Sequence, residues 1–388
     1  MNPPQHAPNG DGTAERNDSS ACLTACLPGW DVRTVVPVPV IGVLPGEGIG
    51  PEVIDAALTV LDAVASATGL RFDLRRGGAV GTGPRRRLTA AAAEFCQSIF
   101  AAGGAVFCGP TGGRAVYDLR DRFDLFCKLV PILPAAALRD AAIVRPERLG
   151  GIDVLIVREN VGGLYLGKFG RCEAGRAAYQ HLSYHADQVT RVADVAARLA
   201  RRRRGCLSVI VKAGGVPEVS ALWKECAEAV GAAHGVSVEM LDIDNAAFQI
   251  IADPRRFDVV VAPNLFGDVL ADVATVLLGS RGMSYSANFG PARRAVYQTG
   301  HGAAHDLAGS DRANPTAQIL SLAMMLRESF GLWSAADRIE TAVENVLASG
   351  LRTPDVASRE SRVVGTRALA GYIAAEAGTR AAQERERA

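Results

Sequence analysis

The sequence predicts an α/β fold of about two domains, on three observations. Short apolar, β-branched-rich runs at Ala105–Cys108, 207–211 and 257–262 read as buried strands. Amphipathic helical patterns alternate with such runs, which is the βαβ order of an α/β sheet. A length of 388 residues is more than one ordinary core and suggests about two domains.

Composition narrows the partners. The chain is 48% hydrophobic with a net charge of +1, which makes no case for nucleic acid or membrane as a partner. No apolar run approaches the roughly 20 residues needed to span a bilayer. The eight cysteines (Cys22, Cys26, Cys96, Cys108, Cys127, Cys172, Cys206, Cys226) form no CxxC pair, so a zinc site is not expected. Reduced thiols in a cytoplasm are the simplest reading.

Taken in order, residues 1–34 are rich in Pro, Asn, Asp, Gly and Ser and read as a disordered leader. They lack the basic and apolar regions of a secretory signal. A strand is expected at 35–44, then the turn PGEGIG and a helix at 51–66, with Pro51 favourable at its start. Gly46, Gly48 and Gly50 allow close backbone approach to a ligand, but GxGxG is not the Rossmann GxGxxG. A strand at 71–76, a helix at 89–100 and the strand Ala105–Cys108 follow. Residues 153–167 then read as a buried strand followed by a turn into Tyr165. A helix at 189–202 ends in Arg201 to Arg204, a run expected to meet solvent and the helix C-terminus. The strand 207–211 leads into Lys212. Helices at 317–330 and 335–348 close the chain, and the charged tail after about Glu376 is expected to fray.

The most informative stretch is 240–282. After the strand 257–262, Pro263-Asn264 breaks the pattern and a helix starts near Gly267. Asp268 and Asp272, four apart, share one face of that otherwise apolar helix. Two converging carboxylates suit a hard divalent cation, Mg²⁺ or Mn²⁺. Asp244 is a third candidate ligand. The alternative is a first-turn helix charge at Asp268 with Asp272 merely exposed.

DNAAFQII, FDVVVAPNLFGDVLAD and GSRGMSYSANFG, in that order, resemble the metal-binding core of the β-decarboxylating dehydrogenases. These are the isocitrate, 3-isopropylmalate, homoisocitrate and tartrate dehydrogenases, and the resemblance spans roughly residues 41–373. It implies the isocitrate/isopropylmalate dehydrogenase-like two-domain fold, not a Rossmann fold, with an active site shared across a homodimer. PGEGIGPEV resembles the family's LPGDGIGPEV, with Glu47 for the usual Asp. AVYDLRDRFDLFCKLVP resembles its substrate segment LRxxLDLYANLRP. There Arg120 matches the first arginine, Val130 replaces the second, and Lys128 stands at the Asn position.

A malate-type substrate carries two carboxylates, which arginines hold bidentately. Residues 128 and 130 on one strand point to one side, so Lys128 is expected to supply the missing charge. Arg114 and Tyr117 fall where the family selects the substituent on carbon 3, and Arg114 favours a polar or anionic one. RENVGGLY mixes the family's RENTEGLY and RELTGGIY motifs. Arg158 matches the third substrate arginine and Tyr165 the tyrosine that protonates the enolate carbon. Lys212 matches the catalytic lysine, expected with a lowered pKa, and Gly214 replaces an asparagine of the family's HKAN segment. AVYQTGHGAAHDLAGSDRANP resembles the adenosine loop HGSAPDIAGKGIANP. His301, Gly302, Asp306, Leu307 and Asn314 match it, and His305 replaces the usual proline. Asp306 would accept ribose hydroxyls and repel a 2′-phosphate, favouring NAD over NADP.

The expected protein is an NAD-dependent, Mg²⁺- or Mn²⁺-dependent enzyme that oxidatively decarboxylates a 3-substituted malate. A large cofactor-binding domain would combine 35–125 with 280–388, and 126–279 would be a small dimerisation and metal-binding domain. Lys212 and Asp244 would come from one subunit, and Tyr165, Asp268 and Asp272 from the other. Two rivals remain: a non-catalytic regulatory subunit of such an enzyme, suggested by Val130 and Gly214, and a metal-free Rossmann-type dehydrogenase.

Overall fold

The computed structural model describes residues 22–30 and 37–379. The chain runs β1 (Val40–Leu44), α1 (Gly50–Thr68), β2 (Asp73–Arg76), β3 (Gly81–Thr82), β4 (Arg87–Leu88), α2 (Ala90–Ala101), β5 (Ala105–Cys108), α3 (Ala115–Arg122), β6 (Cys127–Ile132) and β7 (Val154–Glu159). It continues through α4 (Gly163–Leu166), β8 (Phe169–Cys172), β9 (Ala177–Gln180), α5 (Ala186–Arg201), β10 (Cys206–Val211), α6 (Pro217–His234), β11 (Ser237–Asp242), α7 (Ile243–Ala252), β12 (Val259–Ala262) and α8 (Asn264–Ala274). The β13–β14 hairpin (Tyr285–Phe289, Ala295–Thr299) precedes α9 (Thr316–Glu328), α10 (Trp333–Ala348) and α11 (Thr366–Gly378).

Ten strands form one sheet in the order β11-β10-β12-β7-β6-β13-β14-β5-β1-β2. β13 is antiparallel to both its neighbours and β6 is antiparallel to β7, so the sheet is mixed and departs from an all-parallel Rossmann sheet. The central strands β1, β5, β6, β7, β12 and β14 are buried along their whole length, as helices on both faces require. The expected domain division falls between β6 and β13, which are hydrogen-bonded neighbours.

The glycine turn is stitched to the chain itself. A Cβ on Gly48 would sit 1.9 Å from the Ala303 carbonyl oxygen, and one on Gly46 would sit 2.4 Å from that of Pro110. Both residues have positive φ, so the close approach these glycines permit is to backbone of the same molecule.

Two expectations are corrected. Within the leader expected to be disordered, Leu23–Cys26 forms a 3-10 turn, and Cys22, Thr24, Cys26, Leu27 and Trp30 are buried. The buried Glu328 carboxylate at the end of α9 explains it, because it takes hydrogen bonds from the Thr24 amide at 2.9 Å and hydroxyl at 3.0 Å. Trp30 donates its indole N–H to the Gly290 carbonyl at 3.0 Å and packs edge-on against Phe289. Residues 1–21 and 31–34, the start of the expected first strand, and the tail beyond 379 lie outside the described residues. The arginine run is also not simply solvated. Arg203 reaches Asp258 at 2.7 Å and Asp153 at 2.8 Å, because the Asp258 carboxylate is fully buried at the head of β12 and needs a counter-charge. Truncating Trp30 tests the first correction. Trp30→Ala is expected to lower unfolding free energy by about 3–5 kcal/mol, read from the urea midpoint. An unchanged midpoint would detach this segment from the cooperative core.

Candidate active site

Three elements bring cations to one place. α3 carries Arg114 at its N-cap and Arg120 on its buried face. β6 carries Lys128 and β7 carries Arg158, and these two are direct cross-strand partners. Like charges opposite each other in a sheet repel, so this pair needs a counter-charge nearby. Arg120 is 5% exposed, Lys128 6% and Arg158 1%. Among the described residues the Arg120 Nε has no hydrogen-bond partner, an orphaned buried donor in the cluster. Burial first, then Arg120 and Arg158, pushes the Lys128 pKa down to about 7. Arg120 is likewise lowered by burial and by Arg158.

Helix α8 faces this cluster. Asn264, at its first residue, accepts Arg158 Nε and Nη2 on one oxygen at 3.0 and 2.7 Å. The third nitrogen of that guanidinium, Nη1, pairs with Asp268. Asp268 also accepts the Tyr165 hydroxyl at 3.0 Å. Burial alone would raise the Asp268 carboxyl, but Arg158, Lys128 and Arg120 outweigh it and hold it below the ordinary carboxylate range. Burial and the neighbouring Asp268 carboxylate raise the Tyr165 pKa, so this phenol keeps its proton. Asp272, one turn along, pairs with Arg281.

Arg114 donates to the Tyr165 carbonyl at 2.8 Å, and its guanidinium lies over the rings of Tyr117 at 5.1 Å and Phe169 at 5.4 Å. Arg85 lies over Phe169 as well, at 5.6 Å. These residues line an open cavity of about 690 Å³ together with Arg86 and Gln180. Sequence reasoning missed Arg85, Phe169 and Asn264, because nothing local marks a ribbon phenylalanine or a helix-start asparagine as part of a site.

Lys212 belongs to a separate cluster. It follows β10, where Val211 is in register with Asp242 of β11, and its ammonium meets Asp244 at 2.6 Å and Asp242 at 3.4 Å. Asp244 and Asp242 raise its pKa, which corrects the lowered value expected. The expected ligands are divided in the same way. Asp268 and Asp272 share a helix face, while Asp244 stands with Lys212, and among the described residues no three His, Cys, Asp or Glu side chains gather to hold a metal. Two carboxylates on a face suit a hard cation only if a further oxygen donor joins them.

The loop after β14 carries the remaining candidates. Gly302 is exposed and a Cβ there would meet nothing within 4 Å, so the fold itself does not require a glycine. Asp306 is exposed, and Leu307 packs against the Ile49, Val53 and Ala313 cluster. His301 Nδ1 lies 3.0 Å from the Gly302 carbonyl, and burial lowers its pKa. The Asn314 side chain binds Asp355 and the Thr316 amide, holding the start of α9.

With this geometry in place, residues 40–373 match the isocitrate/isopropylmalate dehydrogenase family. The chain is 38% identical over 356 residues to a 3-isopropylmalate dehydrogenase of Gloeobacter violaceus, covering 86% of this chain and 97% of that one. It is 41% identical over 349 residues to a 3-isopropylmalate dehydrogenase of a Synechococcus species, covering 86% and 91%. Among solved structures it is similar to isocitrate dehydrogenase from Methylococcus capsulatus, with a TM-score of 0.79, 29% identity, and coverage of 88% of this chain and all of that one. Among the described residues, no helix is long and apolar enough to cross a membrane.

Proposed function

This chain belongs to the isocitrate/isopropylmalate dehydrogenase family, and from that membership we propose that it oxidatively decarboxylates a 3-substituted malate with NAD. The observation that carries the substrate class is the buried cationic cluster Arg120, Lys128 and Arg158 beside Tyr165 and Asp268. Three buried cations share the Asp268 carboxylate, which leaves positive charge that a malate-type diacid would neutralise. Lys128 then stands in for the arginine absent at Val130.

Each group has a proposed role. Arg120, Lys128 and Arg158 hold the carboxylates. Lys212 takes the hydroxyl proton as the carbinol is oxidised, and Tyr165, held protonated, donates to the enolate carbon after carbon dioxide leaves. With Asp244 engaged elsewhere, Lys212 would lose the larger of the two carboxylate influences that raise its pKa, while Asp242 remains. Asp268 and Asp272, with Asp244 of a second copy, are the ligands that would hold Mg²⁺ or Mn²⁺, whose chemistry there would be to polarise the oxygen on carbon 2, with NAD as the hydride acceptor. Arg158 and Arg281 pair with Asp268 and Asp272 in the isolated chain. Gly302 leaves room for close approach of adenosine, and Asp306 suits the ribose hydroxyls of NAD. Phe248 and Val269 remain exposed on α7 and α8, apolar surface that a second copy would cover.

The substituent is proposed to be polar or anionic, because Arg114 and Arg85 face the cavity beside Tyr165. NADH formation should be measured with Mn²⁺ and malates bearing isopropyl, carboxyl, carboxymethyl, hydroxyl or phosphonomethyl groups at carbon 3. An anionic member is expected to give the highest kcat/KM. Arg114→Leu should lower that value about 10- to 100-fold, the worth of a lost charged hydrogen bond, while sparing the isopropyl compound. Preference for isopropylmalate, undisturbed by Arg114→Leu, would overturn the anionic reading and leave the chain with the substrate its curated relatives are named for.

A further inference from the structure

We propose that Arg86 is a positioning residue that couples nucleotide binding to the geometry of the substrate helix, an inference that rests on the NAD reading above. It sits in the short β3–β4 hairpin, between the two halves of the candidate site. Its backbone serves one half. The Arg86 carbonyl accepts the Ala115 amide at 2.7 Å, and the Arg85 carbonyl accepts the Arg114 amide at 3.0 Å. These two bonds fix the first turn of α3, which carries Arg114, Tyr117 and Arg120.

Its side chain serves the other half. Arg86 Nη1 donates to Glu47 Oε2 at 2.5 Å and to His305 Nε2 at 3.1 Å. Glu47 is the central residue of the glycine turn, and its amide donates to the Pro110 carbonyl at 2.8 Å. His305 precedes Asp306 in the loop proposed to receive adenosine. That loop is tied to the glycine turn a second time, by the Ile49 amide on the Ala303 carbonyl at 2.9 Å. One residue therefore contacts the substrate helix, the glycine turn and the nucleotide loop.

The local backbone has little slack. Arg86 has φ 47°, a conformation that side-chain-bearing residues rarely adopt and that persists only where surroundings impose it. A Cβ on Gly113 would lie 2.6 Å from the Arg86 Cβ. Glu47 and His305 are also positions where this sequence departs from the usual glycine-turn and nucleotide-loop patterns, and one guanidinium joins both. Proline at 305 would offer no acceptor. Nucleotide binding that orders His305 and Glu47 would thus fix Arg86, and through its carbonyl the start of α3.

The test is amide hydrogen exchange on the full chain with and without saturating NAD. In the wild type, NAD is expected to slow exchange both in 300–312 and in 111–123. Arg86→Gly keeps the positive φ while removing the guanidinium. It should bind NAD within about threefold of the wild type, as an exposed ion pair predicts, and keep the protection of 300–312. The NAD-induced protection of 111–123 should disappear. Arg86→Lys, able to reach Glu47 alone, should retain part of it. The double variant Glu47→Ala/His305→Ala removes both acceptors without touching the hairpin and, at saturating NAD, should likewise lose the NAD-induced protection of 111–123. Equal NAD-induced protection of 111–123 in these variants and the wild type would overturn the inference while leaving the NAD reading intact. A folded wild type that binds no NAD would overturn both.

Discussion

Co-expressed Lys212→Ala and Asp268→Asn chains are expected to regain an activity that neither variant has alone. Within one chain the proposed acid–base groups fall into two clusters. Lys212 meets Asp244 and Asp242, whereas Tyr165 meets Asp268 and Arg158. If a two-fold dimer completes each site with Lys212 and Asp244 from one copy and Tyr165, Asp268 and Asp272 from the other, each homodimeric variant is defective at both sites. Lys212→Ala should lose about 10²- to 10⁴-fold in kcat, the usual worth of a positioned proton-transfer group, and Asp268→Asn should lose activity by weakening the metal site. In a mixed dimer, one site carries both substitutions and the other carries neither. Random pairing at equal amounts makes half the dimers mixed, each with one of two sites intact, so about a quarter of wild-type activity should return. No recovery, from dimers shown by tag exchange to be mixed, would mean that each site is built within one chain.

The α/β alternation was legible because buried strands write themselves as continuous apolar runs and surface helices as a 3.6-residue period. Val259–Ala262 and Ala105–Cys108 are such runs, and Thr89, which caps α2 by accepting the Ala92 amide, sits where the helix was expected to begin. The pair Asp268 and Asp272 was legible for the same reason, since helical spacing fixes their common face. What stayed hidden depends on charges meeting across long sequence separations. Thr24 looks like one more polar residue of a leader until the buried Glu328 demands a donor. Arg203 reads as a solvated helix end until Asp258 is seen buried beside it. Asn264 and Arg158 are separated by the β8–β9 ribbon, three further strands and four α-helices, so no periodicity could pair them. The cluster of Arg86, Glu47 and His305 unites three loops, and loops carry no period at all.

Lys128→Met is expected to stabilise the metal-free protein and to weaken substrate binding, two opposite effects from one charge. Lys128 is buried and faces Arg158 across the β6–β7 pair, so its ammonium loses hydration and gains repulsion. Its pKa of about 7 in the folded chain lies below the ordinary lysine value near 10.4 expected when unfolded. Between those values the unfolded state binds a proton that the folded state does not, so stability rises with pH across that window. The penalty is therefore complete below about pH 7 and fades toward about pH 10. Removing the charge should add about 1–4 kcal/mol of stability at pH 6–7, with the gain shrinking as pH rises, read as a Tm difference across pH. Methionine fills nearly the same volume, so no cavity offsets the gain. Substrate binding should move the other way. With Val130 in place of an arginine, Lys128 is the remaining extra cation for the diacid, and its loss should raise KM about 10- to 100-fold. A variant that is more stable at neutral pH yet keeps its KM would make Lys128 a buried charge without a substrate role. A variant that is less stable at every pH would mean that Asp268 and Asp272 need this ammonium more than it needs water.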